Sequence, residues 1–116
     1  MARRAGVLSL ALLTLSLSPA ALAQQPTGNI EGTVTDPQGA VVPNATVTAR
    51  QVSTNQTRTT TTNDEGRYSF SQLSPDTYEV RATGANFKTS VAREAVVAVG
   101  STLALDFALE VGGGSG

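Results

Sequence analysis

Apolar and polar residues alternate along most of the chain from residue 29 onward. In 29–35, Ile30, Gly32 and Val34 share one side, and Glu31, Thr33 and Thr35 the other. Such alternation is the mark of a half-buried strand. Residues 45–50 repeat it, with Ala45, Val47 and Ala49 set against Thr46, Thr48 and Arg50. The β-branched run 57–62 has high strand propensity. Residues 67–70 place Tyr68 beside Phe70, and 77–83 align Tyr78, Val80 and Ala82. Residues 87–99 are less regular and predict one or two short strands, broken near Arg93-Glu94. Val91, Val96, Val97 and Val99 favour strand over helix there. The last run, 102–111, sets Leu103, Leu105, Phe107 and Leu109 on one side of a single strand.

Turn residues separate these runs. Asp36-Pro37-Gln38-Gly39 has the Asp, Pro and Gly that a type I turn prefers. Asn63-Asp64-Glu65-Gly66 predicts a hairpin turn closed by a left-handed glycine. Leu73-Ser74-Pro75-Asp76 predicts another turn, and Gly84-Ala85-Asn86 a break. The expected turn positions are therefore Asp36, Gly39, Asp64, Gly66, Pro75 and Asp76. Strands of this length with turns every 8–12 residues predict an all-β sandwich of about seven strands. Its expected core is Ile30, Val34, Val47, Tyr68, Phe70, Tyr78, Val80, Leu103, Leu105, Phe107 and Leu109.

The beginning of the chain is a different object. Arg3 and Arg4 precede a largely apolar run, 7–17, that Pro19 breaks before Ala21-Leu22-Ala23. Basic start, apolar middle and small residues at the cut are the pattern of a secretory signal. The run is shorter than the ~20 residues of a membrane-spanning helix. Cleavage after Ala23 is expected, with residues 24–27 as a polar lead-in, one domain over 28–111 and a flexible Gly/Ser tail at 112–116. No membrane span is expected in the mature chain, whose address is the periplasm or the outer membrane.

Composition narrows the chemistry. The sequence has no Cys and no His, which rules out disulfides, thiolate and histidine mechanisms and zinc–thiolate sites. An exported chain without disulfides suits a bacterial envelope. Without Arg3 and Arg4, six basic residues face nine acidic ones, a net of −3. The basic residues Arg50, Arg58, Arg67, Arg81, Lys88 and Arg93 read as scattered, and a nucleic-acid partner is not expected.

The blocks Gly32-x-Val34-x-Asp36-x-x-Gly39, Pro43-x-Ala45-x-Val47 and Thr62-x-x-x-Gly66-x-Tyr68-x-Phe70-x-x-Leu73-x-Pro75-x-x-Tyr78-x-Val80 resemble the carboxypeptidase regulatory-like domain. The resemblance implies a prealbumin-like (transthyretin-like) Greek-key sandwich over roughly residues 28–109. Gly84-Ala-Asn-Phe87-Lys-Thr and Leu103-x-Leu105-x-Phe107-x-Leu109-Glu-Val111 are similar to the N-terminal extension of Oar-like TonB-dependent outer-membrane receptors. The family pattern carries Gly where this chain has Asp76, so a strained turn is expected there. The sequence contains no plug or barrel segments, and transport is not expected of this chain itself. Either a free-standing exported domain or the first piece of a longer receptor fits.

Among candidate reactive groups, Asp36, Asp64 and Glu65 lie in turns, where solvation denies the split pKa values that paired carboxylates need. Their spacing matches no calcium loop. No catalytic residue, metal or cofactor is expected. Of the five aromatics, Tyr68, Phe70, Tyr78 and Phe107 fall on inward positions. Only Phe87 is left to serve a sugar platform. The sequons at Asn44 and Asn55 carry no weight in a bacterial setting. The sole lysine, Lys88, lacks a facing Asn for an isopeptide bond. The expected role is a non-catalytic accessory domain of the cell envelope with a protein partner, an envelope or receptor component. A small carbohydrate-binding module, with a glycan partner, is the alternative.

Overall fold

The computed structural model describes residues 26–112. The expected signal peptide and residues 113–116 of the tail lie outside the described residues. Eight strands run in order: β1 (Gly28–Thr35), β2 (Thr46–Gln51), β3 (Thr57–Thr61), β4 (Arg67–Leu73), β5 (Asp76–Thr83), β6 (Ser90–Val97), β7 (Thr102–Ala104) and β8 (Phe107–Ala108). One sheet has the order β4-β1-β7, with β8 also on β1, and the other the order β3-β2-β5-β6. Among the described residues there is no helix.

The inward sets named from alternation close the space between the sheets. Ile30, Val34, Val47, Tyr68, Phe70, Tyr78, Val80, Phe107 and Leu109 are buried, joined by Ala45, Ala49, Leu73, Ala82, Ala95 and Val97. Removing each large side chain from water stabilises the fold by ~1.5–3 kcal/mol. Leu103 and Leu105 are only half-buried against this core. Tyr68 packs edge-on against Phe70, with ring centroids 6.0 Å apart. Arg58 closes the open side, its guanidinium 6.0 Å from the Phe70 ring centroid.

The run 102–111 forms two strands rather than one. β7 and β8 both lie parallel to β1 in a single register, Asn29 opposite Thr102 and Thr35 opposite Ala108. Between them the chain arches over Gly32. A Cβ on Gly32 would fall 1.8 Å from the Leu105 carbonyl oxygen, so only glycine lets the arch close. Asp106 Oδ1 takes the Thr33 N–H at 2.8 Å, and the Tyr68 hydroxyl donates to the Leu105 carbonyl. This arch carries Leu105 out of the full core.

Two further expectations change. Asn63–Gly66 is no hairpin, because β3 and β4 belong to different sheets; the turn is a corner between layers. Asn63 secures it by accepting the Glu65 and Arg67 N–H groups at 2.9 and 3.0 Å. The expected break at Arg93-Glu94 is a bulge inside one continuous strand. Tyr78 pairs with Ala95 and Val80 with Ala92, so Arg93 and Glu94 together face Glu79.

Candidate functional site

The expected turn residues divide between the two ends of the sandwich. Asp36, Gly39, Asp64 and Gly66 sit where β1 ends and β4 begins, since Thr33 pairs with Arg67. Asp36 Oδ1 accepts the Gln38 and Ala40 N–H groups, each at 2.9 Å. Gly39 and Gly66 take the left-handed conformation, with φ of 86° and 73°. Pro75 and Asp76 lie at the opposite end, near Gly28. Asp76 is not strained: the left-handed residue there is Gln72, φ 58°, in a bulge of β4. Asp76 instead opens β5, and bonds from the Ser53 hydroxyl, the Gln51 amide and the Thr77 N–H hold its carboxyl below its usual range.

No acid–base pair emerges from these groups. Burial, helped by the charge of Asp106, pushes the Tyr68 phenol far up, so it stays a proton donor to Leu105. Burial also raises Tyr78, which donates to the Ser74 carbonyl at 2.7 Å. Among the described residues no three carboxylates gather as a metal site. Four aromatics are interior, and Phe87 is half-buried against the core. An open groove of about 650 Å³ is lined by Glu31, Thr33, Arg67, Thr102 and Asp106 along the β4-β1-β7 sheet and by Thr60 and Thr61 of β3. It offers a sugar hydroxyls and carboxylates, and its one aromatic lining residue, Tyr68, is buried.

The densest charged cluster lies on the other outer face, and the sequence reading missed it. Glu79 points outward from β5 yet is buried, because three arginines cover it. Arg50, its cross-strand neighbour on β2, donates to Oε1 through Nε at 3.3 Å and Nη2 at 3.0 Å. Arg81, two residues along β5, reaches Oε1 at 3.5 Å. Arg93 reaches Oε2 at 2.8 Å from the bulge of β6. These bonds, Arg50's first, outweigh burial and hold the Glu79 carboxyl below its usual range. Asn55, with φ 65°, accepts from Arg50 Nη1 at 2.7 Å and fixes that guanidinium. The basic residues are therefore not scattered. Half of the six converge, through strand pairings that sequence spacing does not reveal. The available signal was the outward placement of Arg50 and of the Glu79/Arg81 pair by alternation.

Similar sandwiches occur in solved structures. The Bacillus anthracis TIE protein is 21% identical with a TM-score of 0.64, over 75% of this chain and 17% of that one. A candidate carbohydrate-binding protein from Bacteroides uniformis is 23% identical with a TM-score of 0.60, over 73% and 42%. The 3-chlorocatechol 1,2-dioxygenase of Rhodococcus opacus is 10% identical with a TM-score of 0.59, over 77% and 61%. This chain thus spans less than two thirds of each, and the likeness concerns the fold. No curated protein matches the sequence significantly. Residues 29–110 match the carboxypeptidase regulatory-like domain, and with the prealbumin-like sandwich in place, this chain belongs to that family.

Proposed function

We propose that this chain is a non-catalytic interaction domain of the bacterial cell envelope, of the kind that precedes the plug of TonB-dependent outer-membrane receptors, and that it receives an extended partner segment along β3. One observation carries the reading. Thr62 N–H bonds Ala45 at 2.9 Å and Gln51 N–H bonds Gln56 at 2.8 Å. In an antiparallel ladder the inward bonds alternate, so Thr57, Thr59 and Thr61 aim their backbone groups away from β2. Nothing pairs with that side among the described residues. The other edge of this sheet, β6, is blunted by its bulge and by Arg93 and Glu94, the usual devices against strand addition. β3 has neither bulge nor proline, and its one charged side chain, Arg58, is tied across to the Ser71 carbonyl of β4 at 2.8 Å; strand addition uses a regular edge of this kind.

The apolar start of the sequence and the family membership support an envelope address. Fractionation of cells expressing the full sequence tests it. Processed protein in the envelope fraction is expected, and unprocessed protein in the cytoplasm contradicts it. Glycan binding is the second reading, favoured by the Bacteroides uniformis neighbour and by the open groove beside Glu31 and Asp106. The interior placement of four aromatics weighs against it. Glycan-array binding that Glu31→Ala, in the groove, or Phe87→Ala abolishes would put it first.

A further inference from the structure

We infer that Arg50, Arg81 and Arg93, held around Glu79 on the outer face of the β3-β2-β5-β6 sheet, form a binding site for a phosphate group. Three strands deliver three guanidinium groups to one carboxylate, all within 3.5 Å of its oxygens. Each guanidinium presents a fixed fork of N–H donors. Glu79 engages two donors of Arg50 and one each of Arg81 and Arg93, and Asn55 takes one more of Arg50. The other N–H donors of the three side chains have no protein partner among the described residues.

The layering favours an incoming anion. The Glu79 side chain is only 7% exposed, whereas Arg50, Arg81 and Arg93 are 36%, 51% and 73% exposed. An approaching ligand meets guanidinium edges, with the carboxylate beneath them as a positioning residue. Three guanidinium charges stand against Glu79, and Glu94, exposed beside Arg93 in the bulge, brings the net excess of this face to one. A phosphate group carries about −1.5 to −2 at neutral pH and engages more of the three guanidinium groups than a carboxylate does. Tetrahedral oxygens also suit donors arriving from three strands. Asn55, in the left-handed conformation that closes the β2–β3 hairpin loop, orients Arg50 from the rim of the cluster. Thr48 pairs with Arg81 across the ladder and lies 3.4 Å from the Thr59 hydroxyl, so hydroxyl groups flank the site.

Titration of the ¹⁵N-labelled domain, followed at the arginine Nε–Hε signals, tests the site. Inorganic phosphate, glycerol 1-phosphate and acetate are compared at matched ionic strength. Co-sedimentation with phosphatidylcholine vesicles, with and without phosphatidic acid, is measured alongside. Saturable shifts at Arg50, Arg81 and Arg93 with both phosphates are expected, and much smaller ones with acetate. Arg81→Gln and Arg93→Gln each weaken binding about tenfold, the worth of one charge-assisted hydrogen bond. Arg67→Gln, on the opposite face, leaves it unchanged. Vesicle binding that requires phosphatidic acid and is lost in both variants identifies a lipid-borne phosphate; binding of glycerol 1-phosphate without vesicle binding identifies a soluble ester. No saturable shift, equal response to acetate, or equal loss in Arg67→Gln overturns the inference.

Discussion

The two outer faces of the sandwich both carry charge, and they use it differently. On the β4-β1-β7 face, Asp106 spends its carboxylate on the backbone of Thr33, filling a rung that the arch at Leu105 leaves open. On the β3-β2-β5-β6 face the ladder is complete across Arg50 and Glu79, so side chains bond one another and three arginines gather over one acid. A sheet with a broken ladder consumes its polar groups in repair. The unbroken β2–β5 ladder leaves donors free for a ligand, and the bulge of β6 adds Arg93 to them.

The sharpest way to break the first face is Gly32→Ala. Its Cβ would collide with backbone, the Leu105 carbonyl, and no side-chain rotation relieves that. A loss of about 3 kcal/mol or more is expected in urea unfolding, or failure to fold. Tyr68→Phe is milder. It leaves the Leu105 carbonyl without its donor and costs about 1–2 kcal/mol at neutral pH. The same variant sharpens the alkaline behaviour. Folding raises the phenol pKa, so the associated stability is full below the unfolded value near 10 and fades as pH climbs above it. Tyr68→Phe therefore flattens the alkaline limb of a stability–pH curve.

On the second face the acid limb is diagnostic. The folded pKa of Glu79 is lowered, so its contribution is present above the unfolded value near 4.3 and disappears as pH falls through the lower folded one. Asp76 behaves alike. Glu79→Gln removes its share, and the loss of stability on acidification becomes shallower in thermal melts. The smallest effect belongs to Arg93→Gln. Its guanidinium is mostly solvated, and a surface pair of this kind is worth under about 1 kcal/mol. A larger loss would mean that the cluster serves stability rather than binding.

Much of the first face and the core was legible in the sequence, because alternation assigns each side chain to a layer. The partner layer was not. Asn63-Asp64-Glu65-Gly66 specifies a reversal, and nothing local says whether the chain returns to the same sheet or crosses to the other. The arch at Leu105 was hidden for a related reason. Register and alternation continue on both sides of it, so Leu103 to Leu109 reads as one strand. Gly32 was the visible clue, a residue without a side chain on an inward position. The arginine cluster was hidden because its members are neighbours only across strands. A buried Glu79 runs against the ordinary rule for charged residues until its three partners are in place. Thr62 is a second buried polar residue, explained by bonds to the Val42 carbonyl at 2.7 Å and the Ala45 N–H at 2.9 Å.

Partner capture by strand addition requires β3 to be an open edge. Residue-resolved amide hydrogen exchange on the isolated protein reads this directly. Thr57, Thr59 and Thr61 should exchange rapidly while the amides of Arg58 and Thr60, bonded into β2, stay protected. Equal protection of all five would mean that the edge is already covered, and the proposed mode of partner capture would be wrong.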